Sequence, residues 1–145
     1  MKLVLDTNVV IDWLVFDDAF LASFREQVRE RSIQVITHAP ALNELQRVLG
    51  YPILELSAER QAAVLEQYAA LASSFEGDSE LPTGFPRCRD SDDDPFLHLA
   101  WRAGADALVS RDKAVLKLAK RARKFGFQIY DVPKMVEVLG GAAPQ

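Results

Sequence analysis

The chain has 145 residues, 49% of them hydrophobic, which is the size and core content of one domain. Its net charge of −4 excludes a protein that coats nucleic acid through overall positive charge, and a single cysteine, Cys88, excludes an internal disulfide or a cysteine metal cage. Charge interrupts the apolar stretches well before the roughly 20 residues that span a bilayer, and Asp6 arrives too early for a signal-like apolar region, so the expectation is a cytoplasmic protein with no membrane partner.

In chain order, Leu3-Val4-Leu5 is a short apolar run without alternation, as a central strand buried on both faces requires, and it stops at Asp6-Thr7-Asn8. Helical spacing follows over Val9–Val15, then a turn at Asp17-Asp18, then a second helical pattern over Ala19–Arg31. Ile33-Gln34-Val35-Ile36 reads as the next strand. Pro40, whose missing N–H costs nothing in a first turn, opens a helix to Leu49 that carries Glu44 in its second turn. Ser57 is the expected N-cap of a helix over Ala58–Ala72. Residues 73–86 are rich in Ser, Gly, Pro and acids and read as irregular, with Phe75 in a short edge strand. Pro95 to Ala103 is predicted helical, capped by Asp94 and ended by Gly104. Ala107-Leu108-Val109-Ser110 is a strand, Lys113–Lys124 a helix, Phe127–Tyr130 a strand after Gly126, and Pro133–Leu139 a last helix. Residues 1–139 are expected to form one domain and 140–145 a loose tail.

Strands alternating with helices predict an α/β fold, a parallel sheet covered by helices on both faces. Ligands of such sheets bind beyond the carboxyl ends of the strands. Asp6 follows the first strand directly, and Asp112 lies two residues beyond Ser110; Glu44 and Asp93 come from helix starts that can face the same rim. Two carboxylates about 5 Å apart repel by roughly 3 kcal/mol at an effective dielectric of about 20, so four acids gathered there need relief from protons, a basic neighbour or a hard divalent cation. Bland roles compete at each position: Asp6 can be a turn residue and Asp112 a helix cap. Asp93 is favoured over Asp94 as the third acid, because Asp94 has the expected capping position and Asp93 shares a helical face with Phe96, Leu97 and Ala100. Asp90 and Asp92 read as solvated loop acids, and His38 and His98 as cap or half-buried polar residues rather than general bases.

Charge is unevenly distributed. Arg111 to Lys134 holds eight basic residues against Asp112 and Asp131, a local +6 in a chain of net −4. A basic flank beside an acidic centre suits a phosphate-bearing substrate that must approach a metal; a solvated helix face is the plainer alternative.

The ordered motifs resemble those of PIN-domain ribonucleases, including VapC-like toxins of bacterial toxin–antitoxin pairs. The resemblance runs from Leu3-Val4-Leu5-Asp6-Thr7-Asn8 through Ala41-Leu42-Asn43-Glu44-Leu45 and Asp93-Asp94-Pro95-Phe96-Leu97-His98-Leu99-Ala100 to Gly104-Ala105-Asp106-Ala107-Leu108-Val109-Ser110-Arg111-Asp112. It departs at His38, where such proteins commonly have a capping serine, and at the Asp93-Asp94 doublet. The resemblance implies a three-layer α/β/α sandwich with a five-stranded parallel sheet, a Mg2+ or Mn2+ site, and hydrolysis of RNA phosphodiester bonds. Asp6, Glu44, Asp93 and Asp112 would hold the metal and act as the catalytic acids, with Ser110 lining the site and Thr7 and Asn8 shaping the turn beneath it.

Arg111, Lys113 and Lys117 are the nearest basic residues and are expected to bind the RNA backbone, with Asn8 and Ser110 beside them. The resemblance also implies a homodimer and an antitoxin partner, for which Trp13, Leu14 and Phe16 would supply apolar surface unless they belong to the core. Two rivals remain at this stage: a non-catalytic α/β RNA- or protein-binding module, and a magnesium-dependent phosphatase. The phosphatase would want a second acid beside the first, where this chain has Thr7-Asn8.

Overall fold

A computed structural model describes residues 1–30, 32–89 and 91–140. Arg31, Asp90 and the tail expected over residues 141–145 lie outside them. Five strands, β1 (Lys2–Leu5), β2 (Gln34–Thr37), β3 (Ser73–Ser74), β4 (Ala107–Val109) and β5 (Gln128–Tyr130), form one sheet in the order β3-β2-β1-β4-β5. All four pairings are parallel, with Leu3 opposite Val35 on one side and opposite Ala107 on the other. The helices are α1 (Thr7–Leu14), α2 (Phe24–Arg29), α3 (Ala39–Leu49), α4 (Ala58–Leu71), α5 (Asp94–Arg102), α6 (Lys113–Leu116), α7 (Ala119–Arg123) and α8 (Val132–Val138). This is the three-layer α/β/α arrangement that the alternation predicts.

The two-residue period of a strand divides the core in two. Leu3, Leu5, Val35, Ala107 and Val109 face α1, α3, α4 and α8 through Trp13, Leu45, Val64 and Met135. Val4, Ile36, Leu108 and Ile129 face the opposite way, against Phe96, Leu97 and Ala100 of α5, Val115 of α6 and Ala122 of α7. Central strands buried on both faces cannot alternate apolar with polar, which is why β1 reads as an unbroken run. No helix among the described residues is long and apolar enough to cross a membrane.

Several boundaries differ from the sequence reading. The helix expected over Ala19–Arg31 is split into a 3₁₀ turn (Ala19–Leu21) and α2, with Asp17 at φ 52° just before it. The split lets Leu21 and Phe24 both bury, Phe24 edge-on to Trp13 at a centroid distance of 4.9 Å. The helix expected over Lys113–Lys124 breaks at Lys117-Leu118, where Leu118 N–H bonds back three residues to Val115. The edge strand ends at Ser74, although Phe75 N–H still donates to Thr37 O at 2.8 Å. Trp13 and Leu14 are core residues at 3% and 5% exposure, so of the three residues named for a dimer surface only Phe16, at 59%, is available.

Candidate active site

β1 is the middle strand, with β2 on one side and β4 on the other, and β1 and β4 are neighbours whose chains leave to opposite faces. β1 leads into α1 on one face, and β4 leads into α6 and α7 on the other. That divergence opens a crevice at the carboxyl ends, the usual ligand position in such sheets. Asp6 occupies the β1 side. It is the N-cap of α1, 3% exposed, and its Oδ1 accepts the Thr7 N–H at 2.8 Å. Its Oδ2 accepts from the Ser110 hydroxyl at 2.6 Å. Ser110 is fully buried at the end of β4, and its Oγ also accepts the Asp112 N–H at 3.0 Å. Asp112 in turn caps α6 through Ala114 N–H at 2.8 Å.

A second hydroxyl ties in the third acid. Thr7 Oγ1 donates to Glu44 Oε2 at 2.6 Å, so one residue of α1 holds Asp6 by its N–H and Glu44 by its side chain. Glu44 reaches the rim because α3 starts there, beyond β2. The helix is capped by His38, whose Nδ1 accepts the Ala41 N–H at 3.2 Å. The imidazole thus does the work of the serine expected at this position, and its half-buried setting lowers its pKa.

Burial, first of all, raises the Asp6 pKa to about 6; the Ser110 and Thr7 hydrogen bonds oppose the rise, and the charges of Glu44 and Asp112 add to it. One carboxyl therefore feels both other acids. Arg47, one helical turn beyond Glu44, offsets part of this negative field, with Nη2 at 3.6 Å from Glu44 Oε1 and 3.9 Å from Asp92 Oδ2. Arg47 escaped the sequence reading, although an i,i+3 acid–base pair on an amphipathic helix was there to be found.

Asp93 and Asp94 are placed differently from expectation. The 3₁₀ turn Ser91–Asp93 runs into α5, so the N-cap position falls on Asp93, which makes no capping hydrogen bond. Asp94 is the first helical residue, and its Oδ1 accepts the Cys88 N–H at 2.6 Å instead of capping its own helix. Asp93 is buried, with the Cys88 thiol 3.7 Å from its Oδ2. Its turn borders the Glu44 side of the site, where Glu44, Arg47, Ser91, Asp92 and Pro95 share a shallow depression of about 320 Å³. Asp6, Glu44 and Asp112 are thus linked through Thr7 and Ser110, while Asp93 lies on the adjoining turn. Among the described residues no three His, Cys, Asp or Glu side chains gather closely enough to form a metal-holding group.

Asn8 and Arg111, named from the sequence for substrate, are engaged within the protein. Asn8 Oδ1 accepts the Arg111 N–H at 3.2 Å, and the Arg111 guanidinium pairs with Asp12 and with Asp18, the latter at 2.6 Å. Together they pin the turn that presents Ser110 and Asp112. Lys113, the first residue of α6, and Lys117, its C-cap, are exposed just beyond Asp112, and among the described residues neither has a salt bridge.

A doubly wound parallel sheet with acids hydrogen-bonded at its switch point belongs to the α/β class in which that rim is the working surface. The family model for the PIN domain matches residues 2–114, and the chain belongs to that family. PIN domains are in general nucleases that act on RNA with the help of divalent metal ions. A comparison with curated proteins returned no match.

Proposed function

We propose that the protein is a metal-dependent endoribonuclease whose site is Asp6, Glu44, Asp112 and Asp93, carried by a domain over residues 1–139 and working in the cytoplasm. The observation that carries this reading is the paired hydroxyl bridge, Thr7 to Glu44 and Ser110 to Asp6, at the sheet's switch point. The donors fit Mg2+ or Mn2+: all are carboxylate oxygens, and the Asp6 pKa is raised in part by two neighbouring anions whose repulsion a cation would relieve.

When bound, the metal would supply an acidified water and offset charge on the phosphodiester. The protein does the rest. Asp6 has one hydrogen bond on each oxygen, and a carboxylate oxygen has a further lone pair, so both oxygens keep capacity for a ligand. Thr7 fixes Glu44 in the same way. Lys113 and Lys117 hold RNA phosphates as they approach from α6.

By its resemblance to VapC-like toxins, the protein is further proposed to be the toxin of a type II pair, a homodimer in its active form and neutralised by an antitoxin protein. Exposed Phe16, and Ile53 at 87% exposure, offer apolar surface for such contacts. The rival reading, a non-catalytic RNA-binding module, draws on one observation: among the described residues no three His, Cys, Asp or Glu side chains are grouped so as to hold a metal ion. Incubating the purified protein with labelled single-stranded RNA, with Mg2+ or Mn2+ and then with EDTA, separates the two. Cleavage that depends on the metal and disappears in Asp6→Asn is the expected result; cleavage that survives that substitution overturns the site, and tight binding without cleavage favours the module.

A further inference from the structure

Three depressions adjoin one another through shared wall residues. The acidic one is bounded by Pro40 and Pro95. Those two prolines also border a second, of about 380 Å³, lined by His38, Phe75, His98 and Arg102. His98 then forms a wall of a third, of about 460 Å³, where Phe85 and Arg87 stand. The sheet order explains the second of them: β3 ends beside Phe75 and β2 beside His38, so these neighbouring strands deliver both rings to one depression.

We propose that the second depression binds an unpaired nucleobase of single-stranded RNA, stacked on the Phe75 and His98 rings, with Arg102 at an adjoining phosphate. The inference rests on the ribonuclease reading above and assigns it a substrate subsite. Single-stranded RNA is recognised chiefly by stacking its bases on flat side chains, with cations tracking the backbone. Both rings are built as platforms. Phe75 lies so close to Gly77 that an added Cβ there would stand 2.6 Å from the ring, so only glycine lets the ring keep its place. The His98 ring is backed by Phe85 at a centroid distance of 5.9 Å. Burial and then the Arg102 charge hold its pKa below the usual histidine range, against an opposing push from Asp94, so it presents a neutral face at neutral pH. Arg102 donates from Nε to the Ser79 carbonyl at 2.9 Å, which fixes its guanidinium beside the depression. The acid among its described lining residues, Glu76, is exposed to solvent.

The test measures binding of a short fluorescent oligouridylate by anisotropy, to the full chain in EDTA. His98→Leu, which keeps bulk but removes the flat face, should weaken binding by about tenfold, as loss of one stacked base does. His98→Phe should restore it. Gly77→Ala, which displaces the Phe75 ring from an exposed loop, should weaken it independently and covers the case in which His98→Leu does not fold. An oligouridylate carrying one abasic nucleotide should lose affinity for the unaltered protein and lose little more on His98→Leu. Equal affinity in all three variants overturns the subsite while leaving metal-dependent cleavage to stand on its own assay. A chain that binds no single-stranded RNA also overturns it, and the cleavage assay then reports separately on the nuclease.

Discussion

Ser110 donates its hydroxyl to Asp6 Oδ2 at 2.6 Å across the gap where β1 and β4 part, joining residues 104 positions apart in the chain. The same Oγ accepts the Asp112 N–H, so this one buried side chain sets both the charge and the spacing of the rim.

Because the Ser110 hydrogen bond favours the ionised form of Asp6, its loss must push that carboxyl higher still. Ser110→Ala is expected to move the acid limb of the pH profile for RNA cleavage to higher pH and to cost about 1–3 kcal/mol of stability, the usual effect of stranding a buried acceptor. Cleavage rates against pH, together with urea unfolding, measure both. An unmoved acid limb would detach Ser110 from the function of Asp6.

Asp6 itself should be a burden on the metal-free fold. Its pKa is about 6 in the folded chain against 3.8 in the open chain, so the folded state binds more protons between those values and stability falls as pH rises through that window. Above it the cost is about 3 kcal/mol. Asp6→Asn is therefore expected to melt several degrees higher than the unaltered protein at pH 7.5 in EDTA, with the difference shrinking toward pH 4. Adding Mg2+ should raise the melting temperature of the unaltered protein and leave Asp6→Asn nearly unmoved.

Much of this arrangement was legible in the sequence. Leu3-Val4-Leu5 before Asp6 marks a buried strand meeting a rim, and Pro40 fixes the helix start that brings Glu44 there. The rest depends on contacts that periodicity does not encode. Arg111 looks like a free cation beside Asp112, yet Asp12 and Asp18, 93 or more positions away, occupy it. Asp94 looks like a helix cap before Pro95, yet the Cys88 N–H claims its carboxylate, and the cap position passes to Asp93. The helices expected over Ala19–Arg31 and Lys113–Lys124 break where burying Leu21 with Phe24, and Val115 with Ala122, outweighs local propensity.

Arg111 and Lys117 are expected to separate cleanly. Arg111→Ala removes two partly exposed ion pairs, each contributing about 1 kcal/mol or less, and loosens the turn that carries Ser110 and Asp112. Its melting temperature should fall while the salt dependence of RNA binding stays as it was. Lys117→Ala should leave the melting temperature alone and reduce the slope of log affinity against log salt by about 1. The reverse pattern would return Arg111 to the substrate.

His38→Ala uncaps α3 and should cost about 1 kcal/mol, the typical value for a lost N-cap. Since α3 delivers Glu44, cleavage should fall with it, and His38→Ser, which restores a capping oxygen, should recover both. Thermal melts run beside cleavage assays would show whether the two losses move together.

The outermost strand on the β3 side is only Ser73-Ser74, two exposed residues long. A stray chain seeking a template for cross-β growth finds almost no ladder there. The opposite margin, Gln128-Ile129-Tyr130, is one residue longer, with Ile129 buried, so either edge gives an incoming strand only a short template.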